Sequence, residues 1–190
     1  MRATRRRGDY EYNPEKAIAL LKEAGYESGQ LRLRFVYPTT DQGTKFAASL
    51  QAMMSAVGIE LVMEGIDFNA SLQRIVERNI DLAMLTYGST PYNPPNTYNA
   101  VIRSDANWNA SQLTGPEVDE MDKLIDEAFV EQDYDVRNKM FRDAMIIFRK
   151  LAITAPCYQC VNFIMADSRL GGVNYENVCA FSKYYRYQWQ

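Results

Sequence analysis

Between Leu31 and Tyr87 the apolar pattern changes period four times, and that alternation constrains the fold more than any other feature of the chain. Leu31, Leu33, Phe35 and Tyr37 alternate with Arg32, Arg34 and Val36, the signature of a strand with one buried face, and Pro38 ends the run. Phe46, Leu50, Met53, Met54 and Val57 then recur at helical spacing behind Asp41, a residue able to cap, and Gly58 closes the segment. Ile59 to Ile66 reads as a second strand. Asp67 stands at the head of a third helical pattern through Leu72, Ile75 and Val76, and Ile80 to Tyr87 reads as a third, mostly apolar strand of the kind covered on both faces. Strand, helix, strand, helix, strand implies right-handed crossovers and a parallel sheet core, hence an α/β fold flanked by helices. In open sheets of this class ligands gather outside the carboxyl ends of the strands, which here means Pro38 to Gln42 and Gly88 to Trp108.

The elements on either side are also punctuated. Asn13-Pro14-Glu15 places a capping side chain, a proline at the position that tolerates it and an acid in the first turn. Ala17, Leu20, Leu21 and Ala24 follow on one face, with Gly25 as the stop. Further on, Pro116-Glu117 opens a helix with Val118, Met121, Leu124, Ile125, Ala128 and Phe129 inward. Asp135 heads another with Val136, Met140, Phe141, Ala144, Ile147, Phe148 and Leu151. Pro156 to Met165 reads as a strand, Gly171-Gly172 as a turn and the tail as an extended, tyrosine-rich segment.

The stretch from Asp81 to Trp108 begins as strand and opens into a loop crowded with Tyr, Asn and Pro. It far exceeds the median connection of about 4 to 6 residues, and excursions of that length are commonly functional. Its aromatic content argues against plain disorder.

Composition sets outer limits. At 190 residues, 47% apolar and 24% charged, the chain has the make-up of a folded domain with a core, or one lobe of a larger protein. A net charge of -3 offers no general attraction to nucleic acid or acidic lipid. Arg2, Arg5, Arg6 and Arg7 form a local exception, read as a solvated tail or artificial boundary over residues 1–11 rather than a nucleic-acid arm. No run reaches the roughly 18 apolar residues of a membrane span, so no direct membrane insertion is expected, and no signal peptide is legible. The absence of His removes the commonest general base and zinc ligand together, excluding Ser-His and Cys-His catalysis. Cys157-Tyr158-Gln159-Cys160 has C-x-x-C spacing but lies in an apolar extended run, without the second ligand pair zinc needs. Buried thiols, or one disulfide with Cys160–Cys179 preferred, are expected, and no metal or cofactor.

With the elements placed, their wording becomes informative. Tyr12-Asn13-Pro14-Glu15-Lys16-Ala17 followed by Leu20-Leu21-Lys22-Glu23-Ala24-Gly25-Tyr26 resembles a phrase in family 5 extracellular solute-binding proteins, receptors of dipeptide, oligopeptide and nickel ABC importers. Leu50-Gln51 through Val57-Gly58-Ile59, Asp81-Leu82-Ala83, Val118-Asp119-Glu120, Leu124-Ile125-Asp126-Glu127-Ala128, Asp135 and Arg137 ahead of Phe141, and Ala155-Pro156 resemble its later landmarks in order. The resemblance runs from Tyr12 to about Gly172. It implies a periplasmic-binding-protein type II fold and, over residues 12–190, the second (C-terminal) lobe of a two-lobed receptor. Its implied partners are the N-terminal lobe, which lies outside this sequence, an ABC permease and a small polar solute or peptide. The full-length protein would be periplasmic or at the cell surface, working by closure of the lobes with no covalent chemistry, and so not as an enzyme.

One departure bears on specificity. Peptide-binding relatives carry an aspartate in the loop after the third strand that pairs with the peptide's free amine, and aligning on Asn93-Pro94 puts Thr90 at that place. A neutral hydroxyl does not neutralise an ammonium buried between lobes. The candidate ligand set is then Thr39, Thr40, Tyr87, Thr90, Tyr92, Asn93, Asn96, Tyr98, Trp108 and Asn109, with Asn99 beside them. Amide hydrogen bonds and aromatic faces suit an oligosaccharide or a capped peptide. The alternative is a stand-alone interaction module with no transport role. Carboxylates such as Asp67, Asp81 and Asp105 show no spacing that singles out an acid–base pair.

Overall fold

The computed structural model describes residues 10–87, 95–158, 165–172 and 188–189. The arginine-rich start, Thr90, Tyr92, Asn93, Cys160 and Cys179 lie outside the described residues, and with them the disulfide expectation; Cys157 is a free, exposed thiol.

Three strands form one parallel sheet in the order β2 (Ile59–Ile66), β1 (Leu31–Pro38), β3 (Leu82–Ala83). The chain moves from β1 to β2 through α2 (Asp41–Ala56), then back across β1 to β3 through α3 (Phe68–Val76). Two right-handed crossovers in opposite directions set their helices on opposite faces. On one face Phe35, Ala47 and Leu61 form a buried cluster under Phe46, Leu50 and Met54 of α2. α3 packs on β1, whose Val36 is wholly buried, and buries Ile75. The ladders are uneven. β1 and β2 pair over eight residues, from Leu31↔Ile59 to Pro38↔Ile66, whereas β3 pairs with β1 only at Phe35↔Leu82 and Val36↔Ala83. The third strand is therefore far shorter than the apolar run from Ile80 to Tyr87 leads one to expect, and Met84 adds one further bond by donating its N–H to the Val36 carbonyl.

A second core lies under α5 (Pro116–Val130) and α6 (Tyr134–Lys150). Val118, Met121, Ile125 and Ala128 bury one stripe of α5 against Phe141, Ala144 and Phe148 of α6, and Ile102 from the preceding loop joins them. The expected inward Phe129 is 42% exposed and meets Phe141 edge to face, and Val136 is also exposed. Between the cores run a short helix α4 (Pro95–Thr97) and a π-helical turn over Tyr98–Ile102, closed by the Arg103 N–H donating to the Tyr98 carbonyl at 2.9 Å. β4 (Leu170–Gly171) pairs antiparallel with β5 (Gln188–Trp189), so the glycine pair opens a ladder at Gly171 and turns only at Gly172. Of the strand expected from Pro156 to Met165, residues 156–158 and 165 have no regular structure, and 159–164 lie outside the described residues.

Helix ends refine three expectations. α1 (Pro14–Glu23) is capped by Asn13, as its sequence indicates. It ends in a Schellman motif, with Tyr26 N–H donating to Leu21 O at 2.9 Å, Gly25 N–H to Lys22 O at 3.0 Å, and Gly25 at φ +87°. Its anticipated inward face is not fully packed: no residue is buried, Ala17 and Leu21 are half-buried, and Leu20 and Ala24 are exposed. α2 is capped by Thr40 rather than Asp41, and α6 by Asp133 rather than Asp135. In both, the earlier residue is extended, the geometry from which a side-chain oxygen reaches the N–H groups of the first turn.

Candidate functional site

The parallel pairing of β1 with β3 carries Thr39, Thr40 and Tyr87 to one carboxyl edge of the sheet. Thr39 is knitted to the end of β2: its N–H donates to the Ile66 carbonyl at 2.9 Å and its hydroxyl to the same oxygen at 3.3 Å. Thr40 uses its hydroxyl as an acceptor for the Gly43 N–H at 3.0 Å. Both threonines remain exposed, as does Tyr87 at 36%. The first turn of α2 can approach this edge only because residue 43 is glycine. A Cβ built there collides with the Pro38 carbonyl oxygen.

The residues that follow divide into presented and braced. Asn96 and Asn99 are exposed. Tyr98 turns inward: its ring lies 4.4 Å from that of Phe141, centroid to centroid, and its hydroxyl donates to the Phe141 carbonyl at 3.1 Å. Burial raises its pKa above the usual tyrosine range. Trp108 is half-buried, and its backbone N–H donates to the Ala100 carbonyl at 3.1 Å. Asn109 is 2% exposed, and its whole amide is used within the loop. Nδ2 donates to the Ile102 and Arg103 carbonyls at 3.1 and 3.0 Å; Oδ1 accepts from the Ser111 N–H and hydroxyl at 3.1 and 2.7 Å. Tyr98 and Asn109 thus shape the loop rather than face solvent.

Sequence reasoning did not find the groups that anchor this loop. Arg103 bonds both oxygens of Asp105, at 2.9 and 3.4 Å, and pairs with Asp126 of α5. Asp105 holds the guanidinium in its charged form, and Arg103 in turn keeps the Asp105 carboxyl below the usual range. Ser104 donates its N–H to Asp122 at 3.0 Å and its hydroxyl to the same carboxylate. Arg34 grips the start of β3, where its side chain bonds Asp81 at 3.1 Å through each of two nitrogens and Asn79 at 3.0 Å, lowering the Asp81 pKa. Only the i,i+4 spacing of Asp122 and Asp126 marks these acids in the sequence, and solvated helical faces show the same spacing.

An open groove of about 570 Å³ lies beside the first half of α2 and is lined by Asp41, Gln42, Lys45, Phe46, Ser49 and Tyr158. The Phe46 and Tyr158 rings meet there at 5.6 Å. Among the described residues, no group of three or more Cys, Asp or Glu is placed to hold a metal ion, and no helix is long and apolar enough to cross a membrane.

A three-stranded parallel sheet, helices on both faces and polar groups gathered at the carboxyl edge define an α/β binding fold. Residues 3–110 match the model of the bacterial extracellular solute-binding proteins, family 5 Middle, and the chain belongs to that family. A di/tripeptide-binding protein of Pseudomonas aeruginosa is 26% identical over 151 residues, covering 78% of this chain and 28% of the relative. A heme-binding protein A of Haemophilus influenzae is 24% identical over 168 residues, covering 86% and 30%. The solved murein tripeptide binding protein of Escherichia coli superimposes with a TM-score of 0.71 at 25% identity, covering 84% of this chain and 31% of that one. The fold is that of the type II periplasmic-binding proteins, and these relatives are binding proteins, not enzymes. The chain spans under a third of the length of each of these three relatives.

Proposed function

We propose that residues 12–190 are the second lobe of an ABC importer receptor and supply half of a cleft for a small polar solute. One observation carries this reading: a solute-binding family match extends through a sheet whose parallel register gathers Thr39, Thr40 and Tyr87 at one edge. The N-terminal lobe would supply the opposing wall, and an ABC permease would receive the closed form, outside the cytoplasmic membrane in the periplasm or at the cell surface. Peptides lead the ligand classes, because di/tripeptide and murein tripeptide binding proteins are among the relatives. With Thr90 where peptide-binding members place an aspartate, a capped peptide or an oligosaccharide fits better than a free α-ammonium.

Calorimetric titration of the full-length receptor with dipeptides, N-acetylated dipeptides, haem, a nickel chelate and short oligosaccharides tests the reading. Saturable binding of one class, weakened about tenfold or more by Tyr87→Ala, is expected. No binding in any class, or binding indifferent to Tyr87→Ala and Thr39→Ala alike, refutes it. A stand-alone interaction module is the second reading, favoured by the apolar residues exposed on and before α1: Tyr10 at 72%, Tyr12 at 90%, Ile18 at 47% and Leu20 at 53%. Sedimentation of the purified chain separates the two, since self-association supports the module and a monomer supports the lobe.

A further inference from the structure

Nothing in the backbone asks for glycine at position 65. β1 and β2 pair without interruption from Leu31↔Ile59 to Pro38↔Ile66, so no bulge requires it, and its backbone is not left-handed. What the position supplies is space, the other use of glycine inside a strand. A Cβ built on Gly65 would stand 2.9 Å from the Tyr37 hydroxyl oxygen, 3.0 Å from Tyr37 Cζ and 3.0 Å from the Thr39 methyl carbon. Tyr37↔Gly65 is the last pair but one at the carboxyl ends of these strands. The Tyr37 ring therefore leans across β2 with its outer end over Gly65, beside the side chain of Thr39 at the carboxyl edge. Phe35 stacks on the same ring, with centroids 5.7 Å apart and planes 24° from parallel, which holds its tilt.

Packing accounts for the ring but not for the hydroxyl. The ring joins the cluster of Phe35, Ala47 and Leu61, where phenylalanine would serve equally well. The hydroxyl has no hydrogen-bond partner among the described residues, and half-buried Tyr37 leaves no buried polar atom unsatisfied, so water reaches the oxygen. Its neighbours are committed: the Thr39 hydroxyl donates to the Ile66 carbonyl and the Thr40 hydroxyl accepts from the Gly43 N–H. Tyr37 thus brings to the edge a hydroxyl that is held in place and uncommitted, able to donate and to accept. We infer that the Tyr37 hydroxyl hydrogen-bonds the solute in the cleft and that Gly65 is the positioning residue that seats it. An amide carbonyl of a capped peptide or a sugar hydroxyl is the kind of group it meets. The inference rests on the reading of that edge as the ligand face.

The test uses the full-length receptor and the member of the titration panel that saturates it, an N-acetylated dipeptide being the expected one. Tyr37→Phe keeps the ring and removes only the oxygen, so affinity should fall about fivefold, as for one neutral hydrogen bond, with the urea midpoint unchanged. Gly65→Ala puts a methyl in the seat and should weaken binding by about fivefold or more. In a Tyr37→Phe background the same change should weaken it clearly less, because the hydroxyl it displaces is already gone. Parental affinity in Tyr37→Phe overturns the inference, as does a Gly65→Ala loss of equal size in both backgrounds. A parent receptor that binds no member of the panel sinks the reading of the edge and this inference with it. A parent that binds and is matched by Tyr37→Phe removes this inference alone.

Discussion

Asn109→Ala is expected to be among the most damaging single changes in the loop. The side chain is 2% exposed and makes four hydrogen bonds. Ser111 is half-buried and can recover bonds to water, but the Ile102 carbonyl lies in the buried part of the contact and loses its amide donor outright. Leaving a buried acceptor unpaired costs about 1–3 kcal/mol, and the remaining bonds add about 0.5–1.5 kcal/mol, for a loss of roughly 2–4 kcal/mol. Against a typical total of about 5–15 kcal/mol that is a large fraction. In urea, with a slope of about 2 kcal/mol/M, the midpoint should fall by about 1–2 M at unchanged slope. Asn107→Ala, at an exposed position two residues away, serves as the control and should move stability by no more than about 0.5 kcal/mol. Asn109→Asp removes both donors and sets a carboxylate against two carbonyls. Burial raises its folded pKa above the unfolded value, so its deficit should grow as pH rises above about 4. Equal midpoints for Asn109→Ala and Asn107→Ala would refute the assignment of Asn109 as the internal brace.

Three further changes probe the sheet edge and its supports. Gly43→Ala would stabilise an ordinary helix, but here the methyl meets the Pro38 carbonyl, and a net loss of about 1–3 kcal/mol is expected in thermal unfolding; a gain would contradict the close approach. Thr40→Ala removes the α2 cap at a cost of about 1 kcal/mol, a fall of about 2–4 °C in Tm, and an unchanged Tm would mean the cap is idle. Asp81 has its pKa lowered by the Arg34 hydrogen bonds, so its stabilising effect is complete above the unfolded value of about 3.9 and disappears as pH falls through the folded one. Asp81→Asn should therefore flatten the acid limb of the stability curve below about pH 4, measured by chemical denaturation at stepped pH.

The frame of the molecule is legible where local chemistry decides it. Asn13, Gly25, Gly58 and Asp67 punctuate their helices as their side chains or lack of them dictate, and the change of period between Leu31 and Ile66 yields the parallel pair. Thr40 and Asp133 are missed as caps because a second capping residue follows each within two positions, and only backbone conformation picks the one in reach. The loop is harder. Asn96, Asn99, Asn107 and Asn109 look alike in sequence, yet three are exposed and Asn109 is buried, because loop closure over Ile102 selects it. The Tyr98 hydroxyl bonds a carbonyl 43 residues away, a partner no local pattern reveals. Arg78 stands in a left-handed helix-terminating position often taken by glycine, and its partners, the Ser104 carbonyl and the Gln112 amide, lie 26 and 34 residues away.

The unequal ladders on the two sides of β1 have a consequence for motion. β2 is zipped along its whole length, whereas β3 holds by two paired residues, the bond from Met84 and the Arg34 clamp at Asp81. Local opening follows the weakest cooperative unit. β3 should therefore peel from its carboxyl end while its beginning stays pinned, swinging Tyr87 outward on a short tether and leaving β1, β2 and α2 in place.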